Sequence, residues 1–243
     1  MLPYELKEDK EGLLYIDGKE LKHDIPLFLD HREFLHDRYY PCNYISIYSS
    51  NDYIIKNCVT VFTRKEIKEI KEMLKELIAR QSLVPDVRFP IGYYKDRRKL
   101  SGLVVKYYKN AMSLCDLLDT PDLNELKKYY LHDEDNIRNL FFMLQDLLGL
   151  IYEMYNSGIN YKGSYSDNVL LHENNVRVID FKPSYVSFDH SDEEIKKIMY
   201  TYNRLLELVL KKYNLTQGLD EKLKDFDHAK TYMIKLENKV RKG

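Results

Sequence analysis

The chain has little glycine and cysteine, no tryptophan and no long apolar run. Glycine accounts for 9 of 243 residues, about half of the usual ~7%, so phosphate-cradling loops have little of the residue that allows close backbone approach. The three cysteines are scattered and odd in number, which disfavours a disulfide framework or a cysteine-ligated metal. No apolar run nears the ~18 residues of a membrane span, and the N-terminal residues lack a signal-peptide core. These absences predict a cytoplasmic protein without a membrane partner.

The charges of the chain are nearly balanced. Lysine and arginine number 38 against 39 aspartates and glutamates, so the formal net charge is −1. No overall field therefore draws the protein to nucleic acid. Hydrophobic residues make up 44% and charged residues 32%, which is typical of a globular protein with a buried core.

The first half of the chain has the pattern of strands. Asp17-Gly18 lies between alternating runs within residues 13–21 and predicts a hairpin. The β-rich runs at residues 44–48 and 53–56 predict a second hairpin, and residues 103–108 predict a further strand.

Helical periodicity begins at Thr63 and dominates the second half. Residues from Thr63 to about Arg80 show apolar side chains at helical spacing, and Thr63 with Glu66 forms a capping-box pattern. A long apolar stripe predicts a second helix between residues 133 and 156, and Gly158 is placed to end it. Ser191 and Glu194 predict the start of a third helix. Residues 217–243 have a weaker helical pattern, which predicts a frayed end.

The most informative segment is GINYKGSYSDNVLLHENNVRVIDFK, residues 158–182. A polar loop closes on Asn168, and two short apolar runs follow, the second of which ends on Asp180. If the runs pair as strands, Asn168 and Asp180 lie side by side at one end of a hairpin. An amide oxygen and a carboxylate at such a position predict a seat for Mg²⁺, which prefers oxygen ligands.

This segment resembles the catalytic and metal loops of protein kinases, which read His-Arg-Asp…Asn and Asp-Phe-Gly. Tyr161 takes the histidine position, Lys162 the arginine position and Gly163 the position of the catalytic aspartate. The resemblance implies that Asp180 holds Mg²⁺ against the phosphates of ATP and that Asn168 holds a second ion.

Upstream features follow the order of the same family. Lys56, at the end of a predicted strand, resembles the lysine that steadies the ATP phosphates and pairs with a glutamate of the next helix. Glu76 or Glu72 would be that partner. The next β-rich run resembles the strand that leads into the hinge, which implies that backbone groups of Lys106 and Tyr108 meet the adenine.

The resemblance covers approximately residues 44–213 and implies an α+β chain with a bilobal protein kinase-like fold. A strand-rich N-lobe with one helix is expected at residues 1–105. A short, helical C-lobe is expected at residues 106–243.

Four departures bear on activity. Gly163 cannot accept a proton from a substrate hydroxyl, and Asp167 is the nearest alternative base. No glycine-rich lid precedes Lys56, and Lys182 replaces the glycine expected after Asp180-Phe181. The 63 residues after Asp180 also leave little room for an activation segment.

These departures favour a pseudokinase, or a very weak phosphotransferase, that binds ATP and acts as a regulator or scaffold for a protein partner. Three alternatives stay open. The chain is an active atypical Ser/Thr protein kinase, a small-molecule phosphotransferase, or an interaction module without nucleotide. Neither the substrate nor the oligomeric state follows from the sequence.

Overall fold

The structure is a computed structural model that describes residues 4–6, 14–16, 19–24, 47–49, 53–57, 62–96, 99–216 and 221–242. Two compact units are distinguished. The first consists of the described residues up to Ser82 together with Arg88–Lys109, and the second consists of Leu83–Val87 and the described residues from Asn110 onward. The protein is α+β, as predicted. The kinase-like arrangement of two lobes, with its division between residues 105 and 106, stays a prediction.

The described part of the first unit contains a seven-stranded sheet, in the order β1-β6-β7-β5-β4-β3-β2. Strands β1 and β6 pair in parallel, and the other neighbours pair antiparallel. The strands are β1 (Tyr4–Leu6), β2 (Leu14–Ile16), β3 (Lys19–Asp24), β4 (Ile47–Ser49), β5 (Tyr53–Asn57), β6 (Gly92–Asp96) and β7 (Lys99–Lys106).

Both predicted hairpins are present in this sheet. In the first, Ile16 of β2 lies opposite Lys19 of β3. In the second, Ser49 of β4 lies opposite Ile54 of β5. Strand β7 begins earlier than predicted and ends at Lys106, because it pairs along its length with β5 and β6.

The predicted helix after Thr63 is α1 (Arg64–Arg80). The Thr63 hydroxyl accepts from the Glu66 amide at 3.2 Å, and the Thr63 amide donates to the Glu66 carboxylate at 2.7 Å. This reciprocal capping box satisfies donors that a helix start leaves without partners. The Lys71 ammonium lies 4.9 Å from the centre of the Tyr93 ring in β6, so the helix lies against the sheet. A short 3-10 helix, Gln81–Leu83, follows.

The second unit is mainly helical. Its helices are α2 (Leu114–Asp119), α3 (Asn136–Asn156), α4 (Tyr165–Asn168), α5 (Asp192–Lys212) and α6 (Phe226–Lys242), with a 3-10 helix at Leu123–Lys128. Two small sheets accompany them, in the orders β11-β10-β8 and β12-β9. Their strands are β8 (Met112–Ser113), β9 (Asn160–Tyr161), β10 (Val169–His172), β11 (Asn175–Val178) and β12 (Val186–Ser187).

Helix α3 is the centre of the second unit. Asp135 caps its start, and the chain turns away from its end at Gly158, whose φ of 75° lies in the left-handed region that favours glycine. Tyr202 of α5 donates a hydrogen bond to the Leu144 carbonyl of α3 at 2.6 Å. The predicted helices that became α3 and α5 are therefore confirmed.

The C-terminal segment is helical, as its weaker pattern predicted, and the fraying of its end stays a prediction. Helix α6 is regular through Lys242 and packs against α3. Arg241 near its end lies 3.4 Å from the Asp135 carboxylate. The long-range contact with α3 stabilises a helix whose local pattern is weak. Its buried side chains are Phe226, Ala229, Tyr232, Met233, Leu236 and Val240.

Candidate functional site

The loop that contains Gly163 is fixed at both ends by hydrogen bonds. Before it, β9 pairs with β12, and the Lys162 amide donates to the Tyr185 carbonyl at 2.7 Å. After it, the chain forms the single turn of α4, and the Asn168 amide donates to the Ser164 carbonyl at 3.1 Å. The predicted polar loop is thus a short ordered connection.

The hairpin of β10 and β11 brings the two predicted metal ligands to one end. Val169 lies opposite Val178 in its register, and the Ile179 amide donates to the Asn168 carbonyl at 2.8 Å. Asn168 and Asp180 therefore flank the same end of the hairpin. Asp180 has a φ of 62°, a left-handed conformation that is costly for a residue with a side chain.

The Asp180 carboxylate is paired with a lysine. The Lys182 ammonium lies 2.7 Å from Asp180 Oδ2, and the two side chains are only 18% and 13% exposed. The same ammonium lies 5.2 Å from the centre of the Tyr185 ring, which favours a cation at that position. Lys182 therefore neutralises the charge of the predicted metal ligand.

Asn168 is engaged with the buried Tyr161. Its side chain is buried, with 6% of the residue exposed. The Tyr161 hydroxyl donates to the Ile179 carbonyl at 2.9 Å. Burial raises the pKa of Tyr161 well above its usual range, the Asp180 charge raises it further, and a hydrogen bond from the Asn168 side chain opposes the shift. Tyr161 is therefore a neutral hydrogen-bonding group in the centre of the site.

Tyr161 also fills the space beside Gly163. A Cβ atom added to Gly163 would lie 2.6 Å from Cζ of Tyr161 and closer still to its hydroxyl. The Tyr161 ring is held by Phe181 and Tyr165, whose ring centres lie 5.3 Å and 5.9 Å away. A side chain at position 163, a carboxylate included, would therefore require the buried Tyr161 ring to shift.

Lys162 and Glu194 form a second ion pair beside the loop. Lys162 Nζ lies 3.0 Å from Glu194 Oε2, and the Glu194 side chain is 8% exposed. Ser187 donates to the same carboxylate at 2.7 Å, and Lys197 donates at 3.0 Å. Burial alone would raise the pKa of Glu194, but hydrogen bonds from Ser187, Lys162 and Lys197 lower it to about 2. The Lys162–Glu194 ion pair thus connects α5 to the loop.

The sequence pattern identified Glu194 as a capping residue. Its amide does donate to the Ser191 hydroxyl, at 3.3 Å, so the cap is present. Its carboxylate instead binds Ser187, Lys162 and Lys197, as described above. The helical periodicity of the sequence could have indicated that Glu194 is buried. Glu194 lies one turn before Ile198, on the same buried face of α5.

Asp167, the alternative base, is exposed and accepts a hydrogen bond from the Ser166 hydroxyl at 3.3 Å. It lies on α4, away from the buried side of the loop on which Asn168 and Tyr165 pack. Nothing in this geometry directs Asp167 toward Asp180.

A groove of about 480 Å³ opens between the loop and α5. Neither Asn168 nor Asp180 lines it, so the groove is separate from the predicted metal seat. Its lining includes Lys162, Ser164, Ser166, Tyr200, Arg204 and Leu208.

The predicted nucleotide contacts belong to the first unit. Lys56 lies in β5 opposite Leu103, but its side chain lies outside the described residues, so its pairing with a glutamate stays a prediction. Glu76 forms an ion pair with Arg80, and Glu72 lies 2.9 Å from Lys75, both on the same helix.

The two residues proposed to meet adenine lie at the end of a strand. Lys106 is the last residue of β7, and Tyr108 follows it outside the strand. Both are half-buried. Their contact with adenine stays a prediction.

The two predicted ligands do not offer magnesium a ready site. Asp180 is neutralised by Lys182, and Asn168 is buried against Tyr161. No group of three or more His, Cys, Asp or Glu side chains suited to a metal occurs among the described residues. A Mg²⁺ ion at this hairpin would compete with the Lys182 ammonium for the Asp180 carboxylate.

Comparisons with known proteins do not assign a family. No protein-family model matches the chain, and no curated protein is significantly similar to it in sequence. The kinase-like resemblance stays a prediction from the residues. Within the described ranges, no helix has both the length and the apolar character that crossing a membrane requires. The cytoplasmic location stays a prediction as well.

Proposed function

We propose that this chain is a protein kinase-like domain that binds ATP and acts mainly as a regulator or scaffold, with very weak phosphotransferase activity at most. The observation that supports this most is the packing of Tyr161 against Gly163. Because of that packing, a carboxylate at position 163 would require the buried Tyr161 ring to shift.

The missing base limits catalysis more than it limits binding. A positioned general base typically contributes about 10²–10⁴-fold to a rate. Asp167 is exposed and is not a good substitute. Positioning and charge stabilisation supply most phosphoryl-transfer catalysis, so a slow residual reaction is compatible with the proposal.

The nucleotide contacts are proposed from the resemblance. Lys56 would bind the ATP phosphates, and Glu76, or failing it Glu72, would orient Lys56. Backbone groups of Lys106 and Tyr108 would bind the adenine edge. The left-handed backbone at Asp180 supports a role for the hairpin end, because strained residues cluster at functional sites.

Binding of ATP is tested by thermal shift and isothermal titration, in EDTA and in excess Mg²⁺. The proposal expects ATP to stabilise the wild type in at least one of these conditions and Lys56→Ala to weaken the effect. Lys65→Ala, on the exposed side of α1, is the matched control. No stabilisation in either condition would overturn the proposal.

Transfer of labelled phosphate from ATP separates the enzymatic alternatives. The proposal expects little or no transfer. Transfer to protein that Asp180→Ala abolishes would instead establish an active Ser/Thr kinase. Transfer to a small hydroxyl compound would establish a small-molecule phosphotransferase.

An interaction module without nucleotide is the second candidate, and the groove beside α5 favours it. Tyr200 and Leu208 are large and exposed there, and they flank the Arg204 guanidinium on the same helix face. Such a surface suits a protein partner. This candidate predicts that ATP has no effect on stability and that Tyr200→Ser leaves the fold intact.

A further inference from the structure

The carboxylate that the kinase resemblance assigns to a metal is already next to a cation. Lys182 Nζ lies 2.7 Å from Asp180 Oδ2, and both side chains are largely withdrawn from water. An ion pair of this kind is stronger than one on the surface, since solvent screens it less.

The position of Lys182 is held by its own backbone and by a ring. The Lys182 carbonyl accepts from the amides of Tyr185 and Val186 at 2.9 and 3.1 Å, in a turn that leads into β12. Tyr185 from the same turn places its ring 5.2 Å from the ammonium. Between the paired residues, Phe181 is buried and anchors the segment in the core. The lysine is therefore directed at Asp180 by local structure.

A lysine and a divalent ion compete for this carboxylate. Mg²⁺ needs near-octahedral coordination at about 2.0–2.1 Å and dehydrates reluctantly. An ammonium at hydrogen-bond distance from Oδ2 occupies the approach and repels a second cation. Asn168, the other predicted ligand, is buried against Tyr161.

We propose that the Lys182 ammonium takes the place of the metal ion at Asp180, so that the site binds a nucleotide phosphate without a divalent cation. An ammonium carries three N–H donors, so it can contact a carboxylate and a phosphate oxygen together, as a bridging cation does. The identity of the ligand rests on the proposed function, whereas the competition between Lys182 and a metal ion does not.

The first test measures the affinity for ATP in EDTA and in excess Mg²⁺. The wild type is expected to bind equally within about threefold in the two conditions. Lys182→Met keeps an apolar stem near Tyr185 but removes the charge. Its affinity for ATP is expected to be about tenfold or more lower than that of the wild type in EDTA and to recover in Mg²⁺. Lys182→Arg should behave like the wild type, and Lys211→Met on α5 is the matched lysine control. Wild-type binding that requires Mg²⁺, or unchanged binding by Lys182→Met in EDTA, overturns the proposal.

The second test needs no nucleotide. Binding of Mn²⁺ is measured by electron paramagnetic resonance, with the metal alone as probe. The wild type is expected to show no site that depends on Asp180, Lys182→Met is expected to gain one, and Asp180→Asn/Lys182→Met is expected to lose it. A wild-type site that Asp180→Asn removes overturns the proposal, as does the absence of any gain in Lys182→Met. If ATP binds in neither condition, the proposed function fails, and the Mn²⁺ result still decides the role of Lys182.

Discussion

Two lysine–carboxylate pairs flank the loop around Gly163, and they differ in how firmly the carboxylate is held. Glu194 accepts from Ser187, Lys162 and Lys197, and these donors lower its pKa to about 2. Asp180 forms an ion pair with Lys182 alone among the described residues, on a left-handed backbone. The Glu194–Lys162 pair is thus supported by several donors, as a structural contact is. The Asp180–Lys182 pair has one counter-ion among the described residues, which suits a site where a ligand can take its place.

Tyr161 is buried beside Gly163, and disturbing its packing has the largest expected effect. Gly163→Asp forces a Cβ against Tyr161 and buries a carboxylate. Overpacking costs about 1–3 kcal/mol and an uncompensated buried polar group a similar amount, so we expect a loss of about 4 kcal/mol in urea denaturation.

The control for this change is Gly149→Asp, because nothing lies within 4 Å of a Cβ added at Gly149 on α3. Its effect should stay within about 0.5 kcal/mol. In a Tyr161→Ala background, Gly163→Asp should cost much less. Equal losses at the two glycines would contradict the account of Gly163 and would leave the missing base without a structural reason.

Removing the charge of Glu194 has the next largest expected effect. Glu194→Gln leaves Lys162 without its charge partner and is expected to cost up to about 3 kcal/mol at neutral pH, from the drop in the Glu194 pKa from 4.5 to about 2. A carboxyl whose folded pKa is lowered stabilises the protein above its unfolded pKa and loses that contribution as pH falls.

The wild type should therefore lose stability between about pH 5 and pH 2, and Glu194→Gln should show a flatter profile there. Urea denaturation at a series of pH values measures this. Glu207→Gln, at a half-exposed position of the same helix, should keep the wild-type profile. A steep acid transition that persists in Glu194→Gln would show that other carboxylates control it.

Removing the charge of Lys182 should cost less stability. Lys182→Met leaves the Asp180 carboxylate without the Lys182 charge. Because Asp180 keeps 13% of its side chain exposed, we expect a loss of about 1–2 kcal/mol, below the ~3–5 kcal/mol of a fully buried pair. The double change Asp180→Asn/Lys182→Met should recover most of that loss, a coupling that a double-mutant cycle measures. A loss larger than that of Glu194→Gln would reverse the comparison between the two pairs.

The smallest effect should come from Lys197, the exposed third donor to Glu194. Lys197 is exposed and bonds both Glu193 and Glu194, so Lys197→Ala should leave the denaturation midpoint close to that of the wild type. A large shift would mean that the three donors to Glu194 are not redundant.

The local part of this structure was predictable from the sequence. Thr63 and Glu66 marked the start of α1, since a capping box is formed by residues three apart. The apolar runs on either side of Glu173 and Asn174 predicted the β10–β11 hairpin, and antiparallel pairing then placed Asn168 next to Asp180. Each of these inferences depends on neighbours within one turn of helix or one hairpin.

The long-range part was not predictable. Lys162 and Glu194 are remote in sequence, and a glutamate three residues after Ser191 is the ordinary sign of a cap. That Gly163 takes the position of a catalytic aspartate stays a prediction from the sequence, whereas the Tyr161 ring beside it, packed against Phe181 and Tyr165, is visible only in the structure. The packing of α6 against α3 was likewise not predictable, because the helical pattern of this segment in the sequence is weak.

By itself, the sequence determined the helices, the hairpins and the juxtaposition of Asn168 with Asp180, because hydrogen bonding and periodicity act over short separations. Only the tertiary structure decided which distant groups meet. It paired Glu194 with Lys162, and it placed the Tyr161 ring, packed against Phe181, beside Gly163. The physical reason is that a charge or polar group removed from water needs a partner. Packing supplies that partner from whichever residues it brings close, whatever their separation along the chain.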